Sequence, residues 1–246
     1  MNIVLFSQEE AAAHFLNLND TRTKHILSIL HKKEGDYFEA GIINKEAGKA
    51  KITQLTPEGL FFDFFPENSG KPLYPLIMLI GFPRPIQLKR LFRDMAGLGV
   101  KEIHLMGTEL GEKSYRDSSI VEKGAAFEAL KDGTVQAKST HIPELFLHNS
   151  VKECLNTLKN RLSSSEKILL DPKAPCSLSG YLSKLNKQSQ KEYFAAIGSE
   201  RGWTAKEQEL FAEFDFTCCS MGERILRTET ASTTAASLFL AHMEIL

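Results

Sequence analysis

The chain contains 246 residues, of which 42% are hydrophobic and 25% charged, and its formal net charge is −1 at pH 7. This length accommodates one large domain or two ordinary ones, each with a substantial core. The near-neutral charge excludes a globally basic nucleic-acid-binding protein, so any contact with RNA must come from local patches.

The first 70 residues are typical of a small β domain. A capping box at Ser7 and Glu10 predicts a short helix through Ala13, and a second short helix is predicted over 24–30. The rest of this region consists of β-branched and aromatic runs separated by turn-forming segments. The predicted strands are 37–43, 49–55 and 60–65. Together these elements predict a small β-barrel at residues 1–70.

Proline, glycine and small polar residues cluster at 66–72, as expected of a linker. After the linker, at 73–246, hydrophobic runs alternate with helix-like segments, which predicts an α/β domain with a mostly parallel sheet. The predicted strands are 75–82, 102–106, 167–170, 193–197 and 216–220, and the predicted helices are 86–98, 119–131, 178–185, 205–214 and 227–245. Ligands of such domains bind beyond the carboxyl ends of the strands.

Two glycine-containing turns fall at predicted strand ends. Gly198 and Gly202 follow the strand at 193–197, and Gly222 follows the strand at 216–220. The backbone N–H and C=O groups of both turns can face one ligand, although an ordinary strand-to-helix connection explains either turn alone. The sequence contains no G-x-G-x-x-G after a strand and no phosphate-binding P-loop. A dinucleotide site is therefore not indicated.

Arg224 and Arg227 lie three residues apart at the start of the last predicted helix. A cation is unfavourable near a helix N-terminus, because the helix macrodipole is positive there. The pair therefore indicates recognition of a phosphate or of a base edge by planar guanidinium groups. The alternative is that Glu223 and Glu229 simply neutralise the two arginines.

A basic patch in the first region is the candidate RNA-binding surface. It comprises Arg22, Lys24, His25, Lys32 and Lys33. A second cluster at the first helix of the second region comprises Arg84, Lys89, Arg90 and Arg93. A solvated surface explains either cluster alone, but together with a two-loop ligand site they favour a phosphate-bearing substrate.

The cysteines and histidines indicate no metal site, because the sequence contains no C-x-x-C pair, no H-x-x-x-H pair and no Cys/His cluster. Cys218 and Cys219 lie in an apolar run, where buried thiols are expected. The N-terminal apolar run is too short for a signal peptide, and no stretch reaches the length of a membrane span. We therefore expect a reduced, cytoplasmic protein without a metal or membrane association.

Two segments carry a resemblance to a known family. They read Ile-Gly-Ser-Glu-Arg-Gly-Trp at 197–203 and Met-Gly-Glu-Arg-Ile-Leu-Arg-Thr-Glu-Thr-Ala at 221–231. The pair resembles the signature of the ribosomal RNA small subunit methyltransferase E family, which belongs to the SPOUT superfamily. Weaker similarity extends to 23–27, 34–36, 98–103 and 170–172. The first segment departs from the family's usual Gly-Pro-Glu-Gly-Gly at Ser199 and Arg201.

The resemblance implies a PUA-like, RNA-binding β-barrel at 1–70 and a SPOUT-type α/β methyltransferase domain with a trefoil knot at 73–246. It also implies a homodimer, S-adenosyl-L-methionine as cofactor, and methylation of N3 of uridine 1498 in the 16S rRNA of the 30S ribosomal subunit. The two segments supply the expected cofactor-binding residues, namely Gly198, Ser199, Glu200, Gly202, Met221, Gly222, Arg224, Ile225, Leu226 and Thr230.

Arg227, Arg224 and Glu229 are the expected catalytic residues. The arginines would stabilise negative charge on the uridine oxygens or bind a nearby phosphate. Glu229 would orient Arg227, and it is a weaker candidate for the general base. Two alternatives stay open: a SPOUT enzyme that acts on another RNA, such as tRNA, and a non-catalytic RNA-binding or assembly factor with a vestigial cofactor loop.

Overall fold

The computed structural model describes residues 2–185 and 191–246. The chain divides into two compact units. The first comprises the residues up to Leu73 together with Lys131–Ile142, and the second comprises Tyr74–Leu130 and Pro143–Leu246. The predicted domain limits, 1–70 and 73–246, place residues 131–142 in the second domain, whereas in the structure this segment packs with the first unit.

Hydrogen bonds explain why residues 131–142 belong to the first unit. The backbone N–H of Asn44 donates to the carbonyl oxygen of Thr140 at 2.8 Å, and the Thr140 hydroxyl donates to the carbonyl oxygen of Lys45 at 2.6 Å. The backbone N–H of Ile142 donates to Asn44 Oδ1 at 2.9 Å. Asn44 adopts a φ of 58°, which asparagine tolerates better than most residues. Such long-range bonds leave no local sequence pattern.

The first unit is built on a five-stranded sheet of order β1-β3-β4-β5-β2. Its elements up to the linker are β1 (Val4–Phe6), α1 (Gln8–Ala13), β2 (Phe15–Asn17), α2 (Thr21–Lys24), a π-helical turn (His25–Ile29), β3 (Tyr37–Ile42), β4 (Ala47–Leu55) and β5 (Gly59–Asn68). β1 pairs in parallel with β3, and the other pairs are antiparallel. The stacked rings of Phe6 and Phe62, with centroids 4.2 Å apart, lie in its core.

The three predicted strands and the first helix of this unit are confirmed, and Ser7 and Glu10 form both bonds of the capping box. The helix predicted over 24–30 is instead the π-helical turn preceded by α2. The linker predicted to start at residue 66 is wrong at that end, because β5 continues to Asn68 by pairing with β4. β1 and β2 were not predicted, since three residues are too few to show an alternating pattern.

The remaining chain alternates strands and helices, and its six strands form one parallel sheet of order β11-β9-β10-β6-β7-β8. The elements are β6 (Tyr74–Gly81), α3 (Pro85–Leu98), β7 (Val100–Met106), 3₁₀ turns at Lys113–Tyr115 and Ser119–Val121, α4 (Lys123–Gln136), β8 (Glu144–His148), α5 (Val151–Leu162), β9 (Glu166–Leu170), α6 (Leu178–Leu182), β10 (Tyr193–Ile197), α7 (Ala205–Glu213), β11 (Thr217–Cys219) and α8 (Thr228–His242). This arrangement confirms the predicted parallel α/β sheet.

The central strands β6 and β10 are buried along almost their whole length, which explains their unbroken hydrophobic sequences. β8 was not predicted, because this edge strand is mostly exposed and shows no alternation. α5 was also not predicted, although its buried residues recur at helical spacing and Ser150 caps its N-terminus. In the described part of the chain, no helix is both long and apolar enough to cross a membrane.

Candidate functional site

A cleft in the second unit lies at the carboxyl ends of β9, β10 and β11. Because parallel strands end at the same edge of a sheet, loops that are distant in sequence meet there. The lining residues are Leu170, Asp171, Pro172, Ile197, Gly198, Ser199, Glu200, Gly202, Trp203, Met221, Gly222, Arg224, Ile225, Leu226, Thr228 and Ala231. Both glycine turns singled out in the sequence therefore border one cavity.

The first loop, defined as residues 198–203, contains the two departures from the family pattern, and each has a partner outside the loop. The Thr108 hydroxyl donates to Ser199 Oγ at 2.9 Å, and both groups are partly buried. Arg201 pairs with Glu112 at 3.2 Å, and both of these side chains are more than half exposed. Ser199 and Arg201 thus attach the first loop to the segment that follows β7.

The end of β6 also contacts the first loop. A Cβ atom on Gly81 would lie only 2.5 Å from the backbone nitrogen of Ser199, so glycine is required for this close approach. Just beyond this strand, Arg84 pairs with Glu200 at 3.0 Å. Gly202 adopts a φ of 75° that closes the loop, with its N–H donating to the carbonyl oxygen of Ser199. The wall formed by the first loop is therefore fixed by the protein itself.

The second loop, defined as residues 220–227, leads from β11 into α8. Gly222 adopts a φ of 104°, a conformation that favours glycine. The Thr228 hydroxyl, in the first turn of α8, donates to the carbonyl oxygen of Gly198 at 3.3 Å. Trp203 Nε1 donates to the carbonyl oxygen of Leu170 at 3.1 Å. These two bonds connect the ends of all three strands around the cleft.

The lining suits a ligand that combines a flat apolar ring with polar groups. Leu170, Ile197, Leu226 and Ala231 supply apolar surface. Gly198, Gly202 and Gly222 carry no side chain, so a ligand can approach the backbone N–H and C=O groups of both loops. This lining matches a nucleoside-containing cofactor. The base of such a cofactor can pack on the apolar side chains, while the loop backbone forms hydrogen bonds with the polar edge of the base.

The structure separates the three residues predicted to be catalytic. Arg224 lines the cleft, whereas Arg227 is the exposed N-cap residue of α8. Among the described residues, neither guanidinium makes a hydrogen bond or an ion pair. Glu229 is buried in the first turn of α8, where a carboxylate is favourable to the helix dipole. No bond joins the Glu229 side chain to Arg227 in the described chain, so the predicted orienting contact is not seen.

Nine of the ten residues predicted to bind a cofactor line the cleft, and Thr230 does not. The helical period explains the exception, because Thr228 and Ala231 share one face of α8 while Thr230 lies on another face and is exposed. The prediction missed Asp171, whose carboxylate accepts bonds from the backbone N–H of Lys173 and from Gln208. The position of Asp171 directly after β9 is the signal that identifies it.

The residues of the basic patch predicted in the first unit differ in whether their charged groups are exposed or held inside the unit. Lys24 and Lys33 are exposed, and Lys32 is half-buried. His25 lies in the π-helical turn, and its Nε2 atom is buried without a hydrogen-bond partner within the described residues. The arrangement leaves the lysines as the accessible cations of this patch.

Arg22 is held inside the first unit. Its guanidinium hydrogen-bonds the carboxylates of Glu10 and Asp20 and the carbonyl oxygen of Leu5. Although burial opposes its charge, the bonds from both carboxylates raise the pKa of Arg22. The same bonds lower the pKa values of Glu10 and Asp20. Arg22 therefore stabilises the packing of α1 and α2 against β1 rather than presenting a free cation.

The expectation of scattered histidines is wrong for one buried group, because His104, His148 and Cys154 lie together. His104 Nδ1 lies 2.9 Å from His148 Nε2, and His104 Nε2 lies 3.1 Å from Glu102 Oε2. The two rings are nearly parallel, with centroids 5.2 Å apart, and the 2.9 Å contact between their nitrogens has the length of an N–H···N hydrogen bond. Burial raises the pKa of the Cys154 thiol to about 12.

Comparison with known proteins gives concordant matches. A family model described as an RNA methyltransferase domain matches residues 69–240. The chain is 40% identical over 249 residues to ribosomal RNA small subunit methyltransferase E of Treponema pallidum, covering 98% of this chain and 91% of the relative. It is 32% identical over 241 residues to ribosomal RNA small subunit methyltransferase E 1 of Borreliella burgdorferi, covering 98% of both chains.

A solved structure of the Neisseria gonorrhoeae ribosomal RNA small subunit methyltransferase E, bound to S-adenosyl methionine, has a TM-score of 0.74 to this chain. Its sequence is 19% identical, and the alignment covers 97% of each chain, so this likeness concerns the fold alone. The family model and the two sequence relatives extend over most of the chain. The chain therefore belongs to the RNA methyltransferase family, and within it to the ribosomal RNA small subunit methyltransferase E group.

Proposed function

We propose that this protein transfers a methyl group from S-adenosyl-L-methionine to N3 of uridine 1498 in the 16S rRNA of the small ribosomal subunit. The observation that carries the proposal is the single cleft formed by the two loops whose sequences define the family. The names of the relatives support an rRNA of the small subunit as substrate. The N3 atom and the position of the uridine rest on the family resemblance.

S-adenosyl-L-methionine is the cofactor, and its sulfonium supplies an activated methyl group. Gly198, Gly202 and Gly222 leave the loop backbone open for its polar groups. Leu170 and Leu226 provide apolar contacts for its base. Because the bond of Ser199 with Thr108 and the close approach of Gly81 hold the first loop, little ordering is needed when the cofactor binds, which favours affinity.

Positioning and charge stabilisation are the contributions expected of the protein. Methyl transfer is an in-line displacement. It is strongly accelerated when the protein holds the two reactants in the correct orientation. Loss of the N3 proton to solvent leaves negative charge on the uridine oxygens. Arg227, with Arg224 beside the cleft, is placed to stabilise that charge or to bind an adjacent phosphate. Glu229 is buried in the first turn of α8, where its charge is favourable to the helix dipole and stabilises the helix that Arg227 precedes.

The finer fold assignments are part of the same proposal: a PUA-like domain at 1–70, a knotted SPOUT domain at 73–246, and a homodimer. β11 lies beyond β9, on the side away from β10. Because a connection that skips one strand is common in α/β sheets, the knot rests on the family resemblance. The homodimer likewise rests on the family resemblance. Lys24, Lys32 and Lys33 are the proposed phosphate contacts of the first domain.

The proposal is tested by incubating the purified protein with isotopically labelled S-adenosyl-L-methionine and 30S subunits from a strain that lacks the endogenous enzyme. Mass spectrometric nucleoside mapping should find labelled 3-methyluridine at one position of 16S rRNA. Bulk tRNA is the parallel substrate. Label in tRNA alone would support the other-RNA alternative, and cofactor binding without transfer to either RNA would support the non-catalytic alternative.

A further inference from the structure

A groove in the first unit shares only Lys32 with the basic patch described above. It encloses about 590 Å³ beside β1, at the edge of the five-stranded sheet. The residues that line it are Asn2, Ile3, Val4, Leu30, Lys32, Tyr37, Phe38, Glu39, Lys49 and Lys138. Three of these residues are lysines and one is an acid, so the groove attracts an anion although the chain as a whole is near neutrality.

One exposed aromatic ring, Tyr37, lines this groove, and a second exposed ring, Phe65, lies beside Tyr37. Along β3 the side chains alternate, so that Phe38 is buried while Tyr37 is exposed. Tyr37 and Phe65 are each 47% exposed, and their ring centroids lie 6.3 Å apart. Lys51 Nζ lies 5.8 Å from the Tyr37 ring centroid. The neighbouring strands hold the two rings in place while part of each remains open to a ligand.

The lysines of the groove are available for phosphates. Lys49 lies opposite Phe65 in the β4–β5 pairing, and its contact with Glu67 is 3.7 Å long between half-exposed side chains. Such an exposed pair is weak and yields readily to a phosphate. Lys32 lies in the loop after the π-helical turn, and Lys138 follows α4. The three cations therefore come from separate segments that converge on one groove.

We propose that this groove binds a single-stranded stretch of the RNA substrate, with an unpaired base stacked on Tyr37 and the flanking phosphates bound by Lys32, Lys49 and Lys138. The inference rests on the proposed function for the identity of the ligand as RNA. Exposed aromatic rings beside a basic groove are the usual means of binding single strands, since every base has a face that stacks. A duplex hides these faces, so it cannot use the Tyr37 ring.

The test measures the affinity of the full-length protein for a fluorescent single-stranded oligoribonucleotide by anisotropy. Tyr37→Ala should weaken binding about 10- to 100-fold, because a stacked base is lost. Tyr37→Phe should bind like the unmodified protein, since it keeps the ring. Lys49→Ala should lower the slope of log affinity against log salt by about 0.7, the value of one phosphate contact on a single strand. Lys159→Ala, an exposed lysine on α5, is the matched control and should change neither quantity.

Four further measurements keep the inference separate from the proposed function. Circular dichroism melting must show that Tyr37→Ala folds, and its affinity for S-adenosyl-L-methionine should equal that of the unmodified protein. Unchanged oligonucleotide affinity in Tyr37→Ala would overturn the inference. The same result would not contradict the proposed methylation of 30S subunits. Equal, Tyr37-dependent affinity for a blunt-ended duplex without a loop would also overturn it. Failure of the unmodified protein to methylate 30S subunits would refute the proposed function, and the oligonucleotide data would still decide whether the groove binds single strands.

Discussion

The two loops of the cleft differ in how their side chains are held. In the first loop, Ser199, Glu200 and Arg201 each contact a partner outside the loop. In the second loop, Arg224 and Arg227 make no hydrogen bond or ion pair among the described residues. A wall that is held by the protein suits a cofactor that must be bound in one pose. Unpaired guanidinium groups suit a substrate that arrives later and brings the negative charge.

Arg227→Ala is the strongest test of this difference. If Arg227 stabilises charge on the substrate, turnover on 30S subunits should fall about 100- to 1,000-fold, the usual cost of removing one stabilising donor. The free energy of unfolding should change by no more than about 0.5 kcal/mol, because the side chain is exposed. Initial-rate kinetics at saturating cofactor and chemical denaturation measure the two quantities.

Arg227→Lys is the matched control for charge alone. Lysine keeps the positive charge but loses the planar fork, so intermediate turnover is expected. Full activity in Arg227→Ala would remove this residue from the mechanism and would leave the second loop without a distinct role.

The sequence predicts the elements of this site better than their connections. The strands before both loops and the helix at 205–214 were predictable, because burial leaves a local pattern. The contact of Ser199 with Thr108 was not predictable, since its two residues belong to different strand ends. Thr230 does not line the cleft, because the period of α8 places it on a different face from Thr228. The buried pair of His104 and His148 arises only when β7 and β8 become neighbours.

The second prediction is that a change in the sheet lowers the stability of the fold without changing the function of the two loops. Glu102 accepts two bonds from Arg161 and one from His104. Glu102→Gln should therefore lower the free energy of unfolding by about 2–4 kcal/mol, because a buried ion pair loses one partner. Cofactor affinity and turnover at 25 °C should stay unchanged. Asp215→Asn, at an exposed residue paired with Lys167, is the control and should have little effect on stability.

The same network predicts a loss of stability in acid. Although burial opposes its charge, the bonds from His104 and Arg161 lower the pKa of Glu102 to about 2, from an ordinary value of 4.5. The unfolded chain thus binds a proton at higher pH than the folded chain, and this stabilisation is lost as the pH falls from 4.5 to 2. Burial also lowers the pKa of His148, which adds a loss beginning below about 6.5. Denaturation across this range should show a shallower pH dependence for Glu102→Gln.

The third prediction concerns the first loop alone. Gly81→Ala would place a Cβ atom 2.5 Å from the backbone nitrogen of Ser199, so the loop must shift. We expect the affinity for S-adenosyl-L-methionine to fall about tenfold, within the usual range for overpacking, with turnover at saturating cofactor nearly unchanged. Gly97→Ala is the control, because no atom lies within 4 Å of its Cβ and helix α3 favours alanine. Calorimetry and initial rates separate the two effects, and unchanged affinity in Gly81→Ala would show that the loop adapts.

The smallest effect is expected at Arg201, where the first loop has an arginine of its own. Its pair with Glu112 is exposed on both sides, so the pair should contribute no more than about 0.5 kcal/mol. Arg201→Gln should change cofactor affinity less than about threefold, and Glu112→Gln should do the same, with a coupling energy near zero in the double variant. A larger rise in KM for 30S subunits in Arg201→Gln than in Glu112→Gln would mean that Arg201 binds RNA directly. In that case the first loop would share the role assigned here to the second, and the contrast between them would hold for Ser199 and Glu200 only.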